Sequence, residues 1–204
     1  MAATHSPAAE RNRGPILAEL QRVLPSTGLL LEIASGSGQH AAFCSEGLPG
    51  WQWQPTEADA AALDSIAAWC AGLSRVRQPL LLDVRQPVWP CPEPVDAILC
   101  ANLLHIAPWA CCAALMRGAA RHLAPGALLV TYGPYLEDGL PTSPGNLAFD
   151  ADLKRRNAEW GIRRREAVEA EARTVGLELR ERVAMPANNL LLVFGGGESS
   201  IPRD

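Results

Sequence analysis

The 204-residue chain is most informative first for what it lacks. It has no run of about 20 apolar residues able to span a bilayer, and its first eleven residues contain no apolar signal core. A cytoplasmic location without a membrane partner is therefore expected. Cys44, Cys70, Cys91, Cys100, Cys111 and Cys112 form no C-x-x-C pair, and most lie among apolar neighbours, so they read as reduced, structural residues. His5, His40, His105 and His122 show no metal-ligand spacing, and no metal is expected. The chain has no excess of positive charge: a net charge of −4 and a pI near 5.6 give no general attraction to nucleic acid or to an anionic membrane. It has no internal repeat. What remains is 48% hydrophobic and 20% charged, the balance of an ordinary globular domain long enough to bury a core without disulfides. Residues 1–195 are expected to form one domain and residues 196–204 a loose tail. A small-molecule partner is the default expectation.

The richest segment is Leu31-Glu-Ile-Ala-Ser-Gly-Ser-Gly-Gln-His40, an apolar strand, an acid and a glycine turn leading into a helix. In a parallel α/β sheet this is where a nucleotide-like cofactor binds. Gly36 and Gly38 permit backbone angles closed to other residues and let a ligand lie against the main chain. Gly36-Ser-Gly-Gln-His-Ala41 also satisfies the G-x-G-x-x-A form of the dinucleotide fingerprint. Glu32 separates the two readings. A carboxylate four residues before Gly36 repels a pyrophosphate and favours a cationic amino-acid cofactor. S-adenosylmethionine (SAM), with its ammonium and sulfonium and no phosphate, meets that requirement.

Around this segment, strands and helices alternate. Pro15 reads as the first turn of a helix capped by Asn12, followed by a strand through Leu31 and a helix over about 38–47. A strand from Trp51 to Thr56 ends in Glu57, and a helix runs from Ala58 to Leu73 with Asp59 near its start. A short strand over Pro79–Leu82 ends in Asp83. A proline-rich loop over 87–94 precedes a strand over Val95–Cys100, which is followed by Asn102 and His105. A helix over Pro108–Leu123, with Trp109, Leu115, Met116 and Leu123 as core candidates, closes at Ala124-Pro-Gly126, and a fifth strand spans Ala127–Tyr132. This order predicts right-handed crossovers and a parallel sheet covered on both faces. Beyond it come a loop over Gly133–Asn146, helices over Phe149–Trp160 and Arg164–Val175, and strands over Leu177–Ala184 and Asn189–Gly195. Only four residues join the last two strands, so they must form an antiparallel hairpin. The predicted fold is thus an α/β three-layer sandwich, Rossmann-like, with a mostly parallel seven-stranded sheet and one antiparallel strand. That is the class I methyltransferase arrangement rather than that of a nicotinamide dehydrogenase.

Six blocks carry a more specific resemblance: Ala9-Glu-Arg-Asn-Arg-Gly-Pro-Ile16, Leu31 to Ala41, Trp53-Gln-Pro55, Tyr132-Gly-Pro-Tyr135, Glu159-Trp-Gly-Ile-Arg163 and Met185-Pro-Ala-Asn-Asn-Leu190. On these the chain resembles the methyltransferase-like protein 26 family, small class I methyltransferase-like proteins of no established general substrate. The resemblance covers nearly the whole chain and implies the methyltransferase fold and a SAM site without naming an acceptor. Two residues depart from the wider pattern: Ala34 stands where the turn usually has its first glycine, and Glu57 where many relatives carry Asp.

Each candidate residue has a chemical task and a plain alternative. Glu32 is expected to fix the amino-acid end of the cofactor, directly or through water, with Ala34, Gly36, Ser37 and Gly38 supplying close backbone. Glu57 is placed to accept both ribose hydroxyls, or is a solvated strand-end acid. Asp59 is a second acid there, or a helix cap. Asp83 and the Val84 amide suit an adenine edge, or Asp83 forms a turn. Asn102 lies beside the expected sulfonium, or ends its strand. The resemblance also implies that Arg11, Asn12 and Arg13, which precede the predicted first helix, fold over the cofactor or a substrate carboxylate; without it they read as a solvated terminus.

Transfer of a methyl group requires alignment and, for some acceptors, proton removal. His105 is the candidate base, with packing at a helix start as its alternative. Tyr132 and Tyr135 are candidates for the acceptor wall or a hydrogen bond, against aromatic packing. Trp160 and Gly161 fit a packed lid or a substrate wall, and Asn188 and Asn189 turn the last hairpin or border the acceptor. Lys154, Arg155, Arg156, Arg163, Arg164 and Arg165 read as a solvated helical face, with an anionic acceptor as the sharper alternative. The expected activity is methyl transfer from SAM to a small oxygen, nitrogen or sulfur nucleophile; the alternative is a SAM-binding sensor or scaffold that performs no transfer.

Overall fold

A computed structural model describes residues 3–91 and 94–197. The elements run α1 (Pro7–Val23), β1 (Gly28–Ile33), α2 (Gln39–Gly47), β2 (Trp51–Glu57), α3 (Ala60–Trp69), β3 (Leu80–Leu81), β4 (Val95–Ala101), α4 (Trp109–His122), β5 (Leu123–Leu136), α5 (Pro144–Arg156), β6 (Arg163–Arg164), α6 (Arg165–Arg173), β7 (Leu177–Met185) and β8 (Asn189–Gly196). The sheet order is β3-β2-β1-β4-β5-β8-β7, with the two-residue β6 beside β5 as an eighth strand. Pairing is parallel from β3 to β5, and β8 runs antiparallel to both β5 and β7. The expected class I methyltransferase architecture is therefore present, including its reversed strand.

Strand parity divides the core into two layers. Leu29, Leu31 and Ile33 of β1, Ile98 and Cys100 of β4, and Leu192 and Phe194 of β8 face α4 and α6. Leu30, Leu99, Val130, Leu191 and Val193 face the other way, against Ile16 and Leu20 of α1 and Cys44 of α2. The same parity sends Glu32, the one acid in β1, toward α1, α2 and Trp53.

Several predicted boundaries move, each for a local reason. Helix α1 starts at Pro7, with Ser6 as its cap accepting from the Ala9 amide, so Arg11, Asn12 and Arg13 lie inside the helix and Asn12 is not its cap. Ser6-Pro7 is the stronger start signal, a side-chain acceptor followed by a residue that gives up an amide the helix leaves unpaired. Strand β5 does not stop at Tyr132; pairing of Gly133 with Leu190 and Pro134 with Asn189 carries it to Leu136, through residues expected to be loop. Pro134 is tolerated because β4 ends opposite Tyr132 and the ladder is thinning there. Ala124-Pro-Gly126 opens β5 instead of closing α4 as a loop, and Trp109 is 37% exposed, not core. At the other end β8 includes Gly196, the first residue of the expected tail; residues 198–204 lie outside the described part.

Among the described residues, no helix is long and apolar enough to cross a membrane, and no three His, Cys, Asp or Glu residues cluster as a metal site. No disulfide forms among the described residues, and burial pushes up the thiols of Cys44, Cys70, Cys100, Cys111 and Cys112, which stay protonated.

Candidate functional site

A cavity of about 1000 Å³ opens over the C-terminal ends of β1, β2, β4 and β5, where α/β sheets bind ligands. Its two halves are built differently.

The first half is the β1–α2 turn. Ser35 donates its amide to Thr56 O (2.8 Å), the Thr56 amide donates to Ser35 Oγ (3.2 Å), and Thr56 Oγ1 donates to Glu32 O (2.7 Å), which ties the turn to β2. Ala34 and Gly36 both take the left-handed backbone conformation, at φ 57° and 58°. At Gly36 a side chain would meet nothing within 4 Å, so the residue leaves open space on the cavity side. Gly38 serves a different purpose: at φ 93° it sits so close to α3 that a β-carbon would lie 2.7 Å from Ile66 Cα. It sets the approach of α2 to α3 and does not line the cavity.

Glu57, at the end of β2, accepts the Gly36 amide on Oε2 (2.9 Å) and the Ala58 amide on Oε1 (2.7 Å). The amide that a phosphate would seek is thus already held by a carboxylate. A diphosphate at this turn would have to displace one negative group with another, whereas ribose hydroxyls or a cation meet an acceptor already in place.

The second half comes from separate loops. Asn102 follows β4 with φ 60° and donates its amide to Tyr132 O (2.8 Å). His105 is buried and packs edge-on to Phe149 of α5 at 5.6 Å; burial, aided by the charge of Arg163, lowers its pKa to about 4. At neutral pH it is an uncharged imidazole, and the same burial and charge make it a weaker base than a free histidine. Arg163 fixes the loop that carries it, donating from Nε to Leu104 O (2.9 Å) and from Nη2 to Ala107 O (2.6 Å), while the Gly161 amide donates to His105 O (3.0 Å). Pro186, Ala187 and Asn189 close this end from the β7–β8 turn. Ala187 and Asn188 are left-handed there, at φ 58° and 56°; Asn189 is not. Among the described residues, three of the four non-glycine left-handed positions, Ala34, Asn102 and Ala187, line the cavity, the clustering of backbone strain that marks binding sites.

The structure gathers Arg11, Asn12, Ala34, Gly36, Ser37, Glu57, Asn102, His105 and Tyr132 around one cavity. It leaves the others outside. Asp59 caps α3, accepting from the Ala61 amide (2.9 Å). Asp83 is held by Arg85 (2.6 Å), which lowers its pKa, and Val84 is buried in the core behind it. Tyr135 lies three residues after Tyr132 on the same strand and so points to the opposite layer, where it is buried and hydrogen-bonds Thr131 (2.8 Å). Lys154 pairs with Asp150, Arg155 and Arg156 with Asp152, Arg164 with Asp138, and Arg165 with Glu137, Glu166 and Glu169; none of them lines the cavity.

Glu32 is also outside, 1% exposed, accepting from Trp53 Nε1 (2.9 Å). Burial pushes its pKa up to about 7, against the opposing pull of that bond. Its link to the cavity is indirect: Oε1 lies 3.9 Å from His40 Nδ1, and His40 Nε2 lies 2.7 Å from Asn12 Oδ1. His40 and Phe149 line the cavity without being sequence candidates, although His40 stands in the block Leu31–Ala41; Arg163, expected on a solvated helical face or at an anionic acceptor, instead clamps the loop that carries His105.

The family model whose description reads only "protein of unknown function" (DUF938) matches residues 3–195. The chain belongs to that family. Its fold is shared with solved methyltransferases at low sequence identity. Mitomycin 7-O-methyltransferase MmcR superposes with a TM-score of 0.80 at 15% identity, over 93% of this chain and 54% of that one. Human N-acetylserotonin methyltransferase, solved with SAM, gives 0.78 at 15% identity, covering 93% and 53%. CalO1, a methyltransferase in calicheamicin biosynthesis solved with S-adenosylhomocysteine (SAH), gives 0.72 at 16% identity, covering 93% and 56%. The DUF938 chain spans little more than half the length of these structures. The likeness establishes the fold.

Proposed function

We propose that this DUF938 protein is a SAM-dependent methyltransferase acting on a small-molecule oxygen, nitrogen or sulfur nucleophile, with residues 1–195 as its single working domain. The observation that carries the reading is the Gly36 amide held by the Glu57 carboxylate at the mouth of a large cavity. That arrangement suits a phosphate-free adenosyl cofactor and opposes a dinucleotide. The resemblance to the methyltransferase-like protein 26 family and the SAM- and SAH-bound structural neighbours support the same choice.

When bound, the cofactor supplies a methyl group activated on a sulfonium; the chain's own residues bind, align and manage a proton. Glu57 accepts from ribose hydroxyls, and the open backbone at Ala34, Gly36 and Ser37 admits the cofactor closely. Arg11 is the cation available to the cofactor carboxylate. Asn102 borders the reacting centre from the end of β4. His105, neutral and held by a clamped loop, is the group placed to take a proton from the acceptor. Phe149, Ile106 and Pro134 give the acceptor end apolar walls.

Calorimetry with SAM tests this: one site per chain, weakened about 10- to 100-fold in Glu57→Ala, as expected for the loss of a charged hydrogen-bond acceptor. Binding followed by SAH release over an acceptor screen completes the case; binding without release in any acceptor would favour the sensor reading. NAD(H) binding without any response to SAM would overturn both.

A further inference from the structure

Charge, lone pairs and apolar surface are unevenly placed around the cavity, and their placement in the half at β4 and β5 defines a class of molecule. Among the described residues that line the cavity, only Arg11 and Glu57 are charged at neutral pH, since burial lowers His40 and His105 to about 4. Glu57 is bonded to the amides of the turn. On the methyl-transfer reading, on which this inference rests, Arg11 holds the cofactor carboxylate. No lining cation then remains for the acceptor.

The basic residues of α5 and β6 do not supply one. Lys154 is paired with Asp150 (2.5 Å), and Arg165 with Glu137, Glu166 and Glu169. Arg163 spends its guanidinium on the carbonyls of Leu104 (2.9 Å), Ala107 (2.6 Å) and Glu159 (2.7 Å). A carboxylate or phosphate on the acceptor would lose its water here and gain no partner.

Two asparagines take the place of charge. Asn146, in the first turn of α5, donates from Nδ2 to Asn188 O (3.1 Å), and Asn189, at the start of β8, donates from Nδ2 to Pro186 O (3.0 Å). A backbone carbonyl only accepts, so the nitrogen of each amide is fixed toward the β7–β8 turn. Each side chain then has its Oδ1 as the accepting atom for a ligand, and both residues line the cavity. Such a pair calls for a molecule that brings O–H or N–H groups.

The remaining surface is apolar and flat-sided. Phe149 is 38% exposed and Ile106 41%, and Pro134 and Pro186 add rigid ring faces. Phe149 meets His105 edge-on, with ring centres 5.6 Å apart and planes at 63°. Two aromatic walls at that angle form a corner in which a planar ring stacks on one wall and meets the other at its edge, both favourable arrangements. A cavity of about 1000 Å³ is at the upper end for small-molecule sites and has space for a second molecule beside a cofactor.

We propose that the acceptor is an uncharged aromatic molecule carrying hydroxyl or N–H donors, with Phe149 as the wall on which its ring packs and Asn146 and Asn189 as the residues that select for its donors. Anionic acids and phosphate esters are disfavoured by the lack of a free cation, and aliphatic alcohols by the loss of ring packing.

Calorimetry on the full chain loaded with SAH tests this with compounds of similar size: a naphthalenediol, a dimethoxynaphthalene that lacks its donors, a hydroxynaphthoate that adds an anion, and a decalindiol that lacks the aromatic ring. The naphthalenediol is expected to bind once per chain, at least about tenfold more tightly than each of the others. Phe149→Ala is expected to weaken it about tenfold, and Asn146→Leu to narrow its lead over the dimethoxy compound to about threefold, with SAH affinity unchanged in both. Val88→Ala, at an apolar residue 77% exposed and away from the cavity, is expected to change neither affinity. Hydroxynaphthoate, dimethoxynaphthalene or decalindiol binding as tightly as the naphthalenediol overturns the proposal, as does a failure of all of them to bind. The wild-type ranking needs no variant, so a variant that does not fold leaves the test intact. If SAH itself does not bind, the methyl-transfer reading fails, and the three uncharged compounds measured on the free chain still decide the acceptor class.

Discussion

The two halves of the cavity differ in what they are made of. The half at the ends of β1 and β2 is mostly backbone: a five-residue turn, its amides, and one carboxylate bonded to them. The half at the ends of β4 and β5 is mostly side chain, brought from the 102–108 loop, α5 and the β7–β8 turn and held by Arg163. A backbone cradle accepts one kind of molecule and leaves little to adjust. A wall of side chains on separate loops changes with each substitution. The contrast predicts that lesions in the first half damage folding and cofactor binding together, while lesions in the second spare the cofactor.

The largest effect is expected at Gly38. A Gly38→Val change places side-chain carbon against the α3 backbone at a left-handed position and should cost about 3 kcal/mol or more in chemical denaturation. Retention of full stability would show that the turn is looser than its geometry implies. Next is Arg163→Met, which keeps the apolar stem and removes three hydrogen bonds to the carbonyls of Leu104, Ala107 and Glu159. A loss of about 1–3 kcal/mol is expected, with SAM affinity unchanged by calorimetry. A parallel loss of SAM affinity would mean that the halves are not separable. The smallest is Ala34→Gly. It relieves a left-handed alanine at φ 57° but adds freedom to the unfolded chain, for a net gain of about 0.5 kcal/mol in the same denaturation assay.

The same contrast explains what the sequence disclosed. The turn is written in ten consecutive residues, so its strand, acid and glycines are readable in order, and the Trp51–Glu57 strand places its acid beside them. Ala34 was visible as a misfit in the turn, and the structure finds it left-handed. Reach was harder to read than type. Glu32 carries the charge expected of a cofactor contact, yet β1 alternates, and a residue in register with Leu30 faces α2 and not the cavity. Glu57 provides the accessible carboxylate in its place. Tyr132 and Tyr135 read as a pair because Gly133-Pro134 resembles the start of a loop; pairing with β8 keeps them in one strand, where a spacing of three separates their faces. The Arg163 clamp joins carbonyls 56 to 59 residues away, and carbonyls carry no sequence signal. His40 lies within the most conspicuous segment, but its hydrogen-bond partner Asn12 comes from α1, where Asn12 reads from sequence as a helix cap.

The central claim is that the β1–α2 turn and Glu57 receive an adenosyl cofactor without phosphate. A crystal structure of the chain soaked with SAH tests it directly. The account predicts the ribose hydroxyls on the Glu57 carboxylate and the amino-acid portion running over Ala34–Ser37 toward Asn102. Density for SAH elsewhere, or a bare turn that fills with NAD⁺ under the same conditions, would contradict it.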